Sequence, residues 1–233
     1  MSDWPAAVLF DFDGVIVNSE PLHFLAMHQA MQENDVRDLT ESEYYNDLLG
    51  LNDRDAIRKL FATRSRPLEP RTLLACVTRK SRIMLELIEQ RKMNALPGVE
   101  ALIRGLWRNY PLAICSGSLR EEIEALLLGV SLRDCFDVIV AAADVTNGKP
   151  DPEGYLLAMN QLSEKHRRKL TPADCLIVED APKVITAMKQ TGFRVLGVTS
   201  SYPAERLSDA DYVVSSLRPD EVLKYLPALK ITV

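Results

Sequence analysis

Short, nearly continuous apolar segments recur along the chain, and most of them end in a polar or small residue. Because these segments do not alternate with polar residues, they predict strands that are buried on both faces of a sheet. Segments with helical periodicity lie between most of them. The predicted strands are Ala6–Phe10, Leu112–Cys115, Asp137–Ala142, Cys175–Val178, Arg194–Val198 and Tyr212–Val214.

The alternation of strand and helix predicts an α/β fold with a doubly wound parallel sheet, a Rossmann-like core. Gly192 follows the last predicted helix between strands, in a position where glycine commonly ends a helix. The predicted helices of this core are Val99–Asn109, Leu119–Gly129, Pro152–Leu162 and Pro182–Thr191.

Residues 18–93 interrupt this alternation. Apolar residues there recur at intervals of three and four, as in Leu22–Met31, Ala56–Phe61 and Leu73–Ile88, and no segment predicts a strand. We therefore expect a helical cap domain of residues 18–93, inserted after the first strand of a core domain of residues 1–17 and 94–233. The crossings at Asn18–Pro21 and Met93–Gly98 are predicted hinges.

Composition narrows the classes of partner. The 233 residues carry 28 basic and 33 acidic side chains and a formal charge of -5, so no positive field attracts nucleic acid. No apolar run has the length of a membrane span, and the first is too short for a signal peptide. We expect a cytoplasmic protein, monomeric by default, with free buried thiols at Cys76, Cys115, Cys135 and Cys175.

Acidic pairs follow two of the predicted strands. Asp11 and Asp13 follow the first strand, and Glu179 and Asp180 follow the fourth. One aspartate after a strand commonly just caps a turn, but four carboxylates at one sheet edge repel one another unless a cation is present. Oxygen ligands of this kind suit Mg²⁺. The sequence therefore predicts a magnesium site at the carboxyl edge of the sheet, where ligands bind in such folds.

Hydroxyl and basic groups follow the second and third predicted strands. Ser116 and Gly117 precede a helix, whose N-terminal amides favour an anion such as phosphate. Ser118 with Glu121 fits a capping box at the start of that helix. Lys149 follows the third strand and supplies a positive charge to the same edge.

The order of these motifs resembles the haloacid dehalogenase superfamily. Its four motifs are matched by Asp11-Phe12-Asp13-Gly14-Val15, Ser116, Lys149 and Glu179-Asp180. The segments Asn18-Ser19-Glu20 and Gly148-Lys149-Pro150-Asp151-Pro152 resemble the branch of beta-phosphoglucomutase and phosphoglycolate phosphatase. The resemblance extends from Val8 to about Val198 and includes a helical cap.

The resemblance implies a role for each motif residue. Asp11 is implied as nucleophile and metal ligand, and Asp13 as general acid and base that also offers its backbone carbonyl to Mg²⁺. Asp180 is implied as a metal ligand, with Glu179 acting through water. Ser116 and Gly117 are expected to hold a phosphoryl oxygen, and Lys149 to balance the charge of Asp11 and the phosphoryl group. These roles agree with transfer through an aspartyl phosphate.

Other positions are expected to contact the substrate or depart from the family pattern. The candidates for substrate binding are His23, Arg54, Lys80 and Arg120, although exposed helix surface also explains Arg54 and Lys80. Gly50-Leu51-Asn52-Asp53-Arg54 resembles the specificity loop of the branch, but mutases have an arginine where this chain has Asp53. After Asp180, relatives commonly have serine and then glycine, whereas this chain has Ala181-Pro182.

The resulting hypothesis is a Mg²⁺-dependent phosphatase that acts on a small phosphorylated metabolite through an aspartyl phosphate. Asp13 argues against dehalogenation, which needs neither Mg²⁺ nor a second acid. A beta-phosphoglucomutase-type phosphomutase is the main alternative. A phosphoacceptor module of the receiver type is usually a single domain about half as long, and a binding protein without catalysis would not need all four motifs.

Overall fold

A parallel six-stranded sheet is the centre of the larger unit in the computed structural model, which describes residues 4–48, 51–90 and 94–232. The strand order is β3-β2-β1-β4-β5-β6, and every neighbouring pair is parallel. The strands are β1 Ala7–Phe10, β2 Leu112–Cys115, β3 Val138–Val140, β4 Cys175–Glu179, β5 Arg194–Val198 and β6 Tyr212–Val214. The predicted α/β class with a parallel sheet is confirmed.

The strand predictions agree with the structure except at β3. The predicted strand Asp137–Ala142 was too long, since the chain leaves the sheet after Val140 and enters a 3₁₀ turn at Ala142–Asp144. The Asp144 carboxylate accepts the backbone N–H of Ala141 at 2.7 Å and thereby stabilises this turn. A local side-chain acceptor of this kind competes with strand continuation.

The chain divides into two compact units, Met1–Asn18 with Met93–Val233, and Ser19–Lys92. We propose that these units are the predicted core and cap domains. The described residues of the smaller unit form helices α1 Glu20–Gln32, α2 Glu41–Glu43, α3 Asp53–Thr63 and α4 Pro70–Gln90, with a π-helical turn at Tyr44–Leu48. Helix α4 packs against both α1 and α3. Gly50 and Met93, which belong to the predicted specificity loop and the second predicted hinge, lie outside the described residues.

The larger unit adds helices around the sheet. They are α5 Val99–Trp107, α6 Arg120–Gly129, α7 Glu153–Lys165, α8 Pro182–Gln190 and α9 Pro219–Tyr225. The first four agree with the predicted helices to within three residues at each end, whereas α9 was not among the predicted helices. Gly192 follows α8 with a φ of 93°, which confirms the predicted helix end.

The sheet register brings the chemically interesting segments together. Strand β1 lies between β2 and β4, and Phe10 is opposite Ile114 on one side and Val178 on the other. The residues that follow these strands therefore meet at one carboxyl edge of the sheet. The chain order of the strands reverses at β1, and such a switch point is where open parallel sheets form a crevice for ligands.

Burial in the larger unit follows the apolar pattern of the sequence. All four residues of β1 and of β2 are buried, as are all five of β4. The four cysteines are free and buried, as predicted. None of the described helices is long and apolar enough to cross a membrane.

Candidate active site

Lys149 connects two carboxylates that follow neighbouring strands. Its Nζ donates to Oδ1 of Asp11 at 2.5 Å, to Oε1 of Glu179 at 2.8 Å and to the hydroxyl of Tyr155 at 3.1 Å. An ammonium group has three N–H donors, so these contacts use all of them. The lysine is thereby fixed between β1 and β4, with Asp11 on one side and Glu179 on the other.

Glu179 is fully buried and accepts hydrogen bonds at both oxygens. Oε1 accepts from Lys149 and from the hydroxyl of Tyr155 at 3.3 Å, whereas Oε2 accepts from the backbone N–H groups of Asp180 and Ala181, both at 2.8 Å. The carboxylate therefore orients the lysine and closes the turn after β4. With its oxygens occupied in this way, it suits contact with a metal through water better than direct coordination.

Asp180 is held by the loop after β5. The Ser201 hydroxyl donates to Oδ2 of Asp180, and the Ser200 hydroxyl donates to the backbone carbonyl of Gly14. Gly14 has a φ of 79°, and a Cβ there would lie 2.1 Å from Oδ2 of Asp180. The position therefore requires glycine for two reasons, its left-handed conformation and the close approach of the carboxylate.

Negative charge exceeds positive charge at this sheet edge. Burial and the Glu179 carboxylate raise the pKa of Asp11 well above its ordinary value, although Lys149 partly offsets them. Burial and the same glutamate raise the pKa of Asp180 to about 7. Burial alone would lower the pKa of Lys149, but Asp11 and Glu179 outweigh it and raise that pKa. In the part of the chain that the structure describes, Lys149 is thus the cation that contacts this buried carboxylate cluster.

This donor set fits a divalent cation. Asp11, Glu179 and Asp180 each offer a carboxylate oxygen, and these oxygens lie within 4.8 Å of one another. A hard cation would offset the excess negative charge that helps to raise the pKa values of Asp11 and Asp180, and Mg²⁺ commonly binds through one or two carboxylates with several waters. The side chain of Asp13 is outside this cluster, so its predicted metal contact through the backbone carbonyl stays a prediction.

Asp13 points toward the segment that follows β2. Its Oδ2 accepts a hydrogen bond from the Ser118 hydroxyl at 2.7 Å and a long one from the Ser116 hydroxyl at 3.5 Å. The Ser116 oxygen also accepts the backbone N–H of Ser118 at 3.0 Å. Gly117 lies between them, with open space where a Cβ would be. The structure thus brings Asp13 and the predicted phosphate-binding segment together.

The predicted capping box at Ser118 is wrong. Helix α6 begins at Arg120 and its N-cap residue is Leu119, which has no side-chain cap. The Ser118 hydroxyl precedes the cap position and binds Asp13 instead. The first-turn acids Glu121 and Glu122 still complement the helix dipole.

Two other potential nucleophiles near Asp11 stay protonated. Burial raises the pKa of the Cys115 thiol to about 12, so the reactive thiolate is not formed at neutral pH. Burial and the Glu179 carboxylate raise the pKa of the Tyr155 phenol well above its ordinary value. A carboxylate is therefore a better candidate for the nucleophile than either group.

Arg120 is tied to the segment that follows β3. Its guanidinium forms an ion pair with Asp144 at 2.5 Å and donates to the backbone carbonyl of Ile139 at 2.8 Å. These contacts give the side chain a structural role at the end of the strand. A contact between Arg120 and the substrate stays a prediction.

The cap candidates form a cluster within the smaller unit. The ammonium of Lys80, which is 1% exposed, lies 2.7 Å from Nδ1 of His23 and 3.1 Å from Oδ2 of Asp53. Because an ammonium only donates, Nδ1 of His23 accepts, which places the proton of a neutral ring on Nε2. Lys80 is thus a buried, paired cation rather than exposed helix surface. Arg54 is exposed near the start of α3, and its predicted contact with the substrate stays a prediction.

Two groups that the structure places beside the acids, Tyr155 and Ser201, were not among the residues predicted from the sequence. Tyr155 is fully buried on α7, with Lys149 Nζ 4.8 Å from the centre of its ring and its hydroxyl near Glu179. A tyrosine on the buried face of a helix signals a polar partner in the core. Ser201 lies in a loop beyond the last recognisable motif, and no spacing rule connects it with Asp180.

Known proteins match this chain over the region that contains these motifs. The model of the haloacid dehalogenase-like hydrolases matches residues 8–198. A phosphorylated carbohydrates phosphatase of Thermotoga maritima is 30% identical over 94% of this chain and 97% of its own length. The beta-phosphoglucomutase of Bacillus subtilis is 28% identical over 89% of this chain and 88% of its own length.

Solved structures share the fold. The crystal structure of CbbY from Rhodobacter sphaeroides in complex with phosphate has a TM-score of 0.82 and 24% sequence identity. The match covers 97% of this chain and 99% of that one. On the family model, which spans most of the sequence and all four motifs, the chain belongs to the haloacid dehalogenase-like hydrolases.

Proposed function

We propose that this hydrolase is a Mg²⁺-dependent phosphatase that releases phosphate from a small phosphorylated carbohydrate through a phosphoryl group on Asp11. The observation that supports it most is the bridge that Lys149 makes between Asp11 and Glu179, beside Asp180. That bridge holds a carboxylate nucleophile and a charge-balancing lysine at the switch point of the sheet. Positioning and charge neutralisation supply most of the catalysis in phosphoryl transfer.

In the first half of the reaction, an oxygen of Asp11 attacks the phosphorus. The bond from phosphorus to the substrate oxygen breaks, and Asp13 gives its proton to that oxygen so that an alcohol leaves. Lys149 binds Oδ1 of Asp11 and keeps the carboxylate in place during the attack. Ser116 and the backbone at Gly117 are proposed to hold a phosphoryl oxygen.

In the second half, water replaces Asp11 on the phosphorus. Asp13, now a carboxylate, takes a proton from the water. At the same time the oxygen of the water bonds to phosphorus, and the bond between phosphorus and the Asp11 oxygen breaks. The products are inorganic phosphate and the original carboxylate of Asp11. Asp11 and Asp180, with Glu179 acting through water, are proposed to hold Mg²⁺, which supplies charge neutralisation when it is bound.

The names of the relatives support a proposed substrate class. Since one relative is named a phosphorylated carbohydrates phosphatase, a sugar or polyol monophosphate is the proposed substrate. We propose that His23, Arg54 and Lys80 contribute to its recognition. The buried free thiols are compatible with the proposed cytoplasmic location, and the monomeric state stays a prediction.

The test is phosphate release from a panel of sugar, polyol and glycolate phosphates, with p-nitrophenyl phosphate as a generic substrate. Each reaction is run with MgCl₂, with a chelator and with chelator followed by excess MgCl₂. The proposal predicts release that depends on Mg²⁺ and is lost in Asp11→Asn. Unchanged release after chelation contradicts the metal requirement, and no release from any ester contradicts the phosphatase.

A phosphomutase is the second candidate, because the Bacillus subtilis relative is a beta-phosphoglucomutase. A mutase must retain a bisphosphorylated intermediate, and an arginine fork is well suited to bind the second phosphate. This chain has Asp53 at the position where mutases of the branch have arginine, and Asp53 pairs with Lys80 at 3.1 Å. The pair neutralises one cation of the cap unit, which favours a monophosphate substrate and water as acceptor.

The two candidates differ in the product of one incubation. The protein is incubated with beta-glucose 1-phosphate and a trace of glucose 1,6-bisphosphate, and glucose 6-phosphate and free phosphate are followed separately. The phosphatase proposal predicts that any turnover yields free phosphate. Rapid formation of glucose 6-phosphate with little phosphate release would establish the mutase instead.

A further inference from the structure

The Ser118 hydroxyl lies at a place that its sequence context does not explain. It is not the cap of α6, and it donates to Oδ2 of Asp13 at 2.7 Å, across from β2 to the turn after β1. The longer 3.5 Å contact from Ser116 to the same oxygen makes Ser118 the better donor of the two. The family motif assigns a phosphate-binding role to Ser116, whereas the hydroxyl two residues later donates to Asp13.

The backbone of Ser118 is anchored on two sides. Its N–H donates to the Ser116 hydroxyl at 3.0 Å, and its carbonyl accepts the N–H of Ala142 at 3.1 Å. The segments after β2 and β3 are therefore tied together at this residue. A hydroxyl on such an anchored backbone has few alternative positions, so it can fix a partner side chain at a small further loss of entropy.

Asp13 lies beyond the end of β1, where a side-chain contact can set the direction of its carboxyl group. The residues after it form a tight turn, in which the backbone N–H of Gly14 donates to the carbonyl of Val17 at 2.8 Å. A carboxyl group that transfers protons must be directed at the reacting oxygen, and small errors of position reduce the rate strongly.

We infer that Ser118 is a positioning residue, which holds the carboxyl group of Asp13 in the orientation from which it exchanges protons with the substrate. The inference rests on the proposed function, in which Asp13 gives a proton to the leaving oxygen and later takes one from water. A serine hydroxyl has one donor and two lone pairs. It therefore donates to the carboxylate of Asp13 and accepts from the carboxylic acid, so the contact persists in both halves of the reaction.

The experiment compares leaving groups in Ser118→Ala. Wild type, Ser118→Ala and Ser118→Thr are assayed for kcat/KM with p-nitrophenyl phosphate, phenyl phosphate and glycerol 1-phosphate, whose leaving groups need protonation increasingly. The value kcat/KM reports formation of the phosphoenzyme, because it includes only the steps up to the first irreversible one, the departure of the alcohol. We expect Ser118→Ala to lower kcat/KM for glycerol 1-phosphate about tenfold more than kcat/KM for p-nitrophenyl phosphate. This effect is smaller than the loss of the whole general acid would cause, because Asp13 is still present. Ser118→Thr keeps the hydroxyl and should restore the wild-type ratio.

A double-mutant cycle separates positioning from packing or direct binding. In an Asp13→Ala background, adding Ser118→Ala should not lower kcat/KM for glycerol 1-phosphate further, because the carboxyl group that Ser118 positions is already absent. Equal losses for all three esters, or a full additional loss in the Asp13→Ala background, would overturn the inference and assign Ser118 to binding the phosphoryl group. Thermal unfolding of each variant controls for folding. If wild type hydrolyses none of the esters, the proposed function fails, and this inference fails with it.

Discussion

The Nζ of Lys149 lies 2.5 Å from Oδ1 of Asp11. Both side chains are largely buried, and the same Nζ contacts Glu179 at 2.8 Å. The lysine therefore binds one oxygen of the proposed nucleophile, while attack can proceed from the other. It also offsets part of the negative charge that a phosphate ester would otherwise meet.

Replacement of Lys149 should disable the site more than it unfolds the protein. In Lys149→Met we expect kcat/KM to fall by about 10²–10³, the range for the loss of one preorganised electrostatic donor. Lys149→Arg should not restore activity, because a planar guanidinium cannot direct three donors at the three acceptors. Steady-state kinetics with the best ester of the panel provides the measurement. Lys165→Met, at an exposed lysine, is the control, and a Lys149→Met enzyme as active as this control would contradict the role.

Removing one carboxylate of the acid cluster should stabilise the metal-free protein. Asp180→Asn relieves the repulsion from Glu179 but removes a proposed metal ligand. In chelator, we therefore expect the melting temperature of Asp180→Asn to be higher than that of wild type. Adding MgCl₂ should raise the melting temperature of wild type but not that of Asp180→Asn. Differential scanning fluorimetry measures both. Glu100→Gln, at an exposed acid of α5, is the control and should behave like wild type. An undiminished Mg²⁺ response in Asp180→Asn would remove this residue from the site.

The raised pKa of Asp180 also predicts that the free energy of unfolding depends on pH. The pKa of Asp180 is about 7 in the folded protein, against an ordinary value of 3.8, so between these values the folded state binds a proton that the unfolded state lacks. The free energy of unfolding therefore falls as pH rises through this window. In chelator, the stability advantage of Asp180→Asn over wild type should grow from about pH 4 to about pH 7. An advantage that shrinks with rising pH would contradict the shift.

Ser201 should tune the metal site from the loop after β5. Its hydroxyl donates to Oδ2 of Asp180, in a chain that has alanine rather than serine after that aspartate. Loss of a group that orients a ligand commonly weakens metal affinity about 10–100-fold, so we expect the lower half of that range for Ser201→Ala. Calorimetric titration with MgCl₂ measures the affinity directly. Ser208→Ala, at an exposed turn of the same region, should leave it unchanged, and equal affinities in both variants would argue against the role.

Lys80 and Asp53 should be coupled in stability. Asp53→Asn leaves a buried ammonium with one partner fewer, and because Asp53 is about a quarter exposed we expect a loss of about 1–3 kcal/mol, below the range for fully buried pairs. Lys80→Met in the same chain removes the ammonium that has lost this partner and should recover part of that loss. Urea unfolding of the two single variants and the double variant gives the coupling energy. Strictly additive losses would show that the pair contributes nothing.

Sequence pattern predicted the parts of the fold that depend on local composition. Continuous apolar runs indicated β1 and β4 because both faces of a parallel strand are buried, and the acids that follow them meet because neighbouring parallel strands end at one edge. The same reasoning, applied to the order of motifs along the chain, grouped Asp11, Lys149, Glu179 and Asp180 at one site.

The remaining features depend on tertiary contacts that spacing does not encode. Ser118 fits a capping box by sequence, but the helix begins later, and the hydroxyl binds Asp13, more than 100 residues away. The pairing of Lys80 with Asp53 requires the packing of α4 against α3, so a helical pattern alone could not distinguish a substrate contact of Lys80 from exposed surface and did not indicate the pair. Ser201 is brought to Asp180 by the order of β4 and β5.

Detection of a phosphoryl group on Asp11 tests the central claim most directly. Asp13→Ala is mixed with p-nitrophenyl phosphate and MgCl₂, because this ester needs little protonation to form the intermediate whereas hydrolysis of the intermediate needs the base. After an acid quench, the peptides are analysed by mass spectrometry. The account predicts one phosphoryl group on the peptide that contains Asp11, and none after the further change Asp11→Asn. A phosphoryl group on another residue, or rapid phosphate release by folded Asp11→Asn alone, would contradict it.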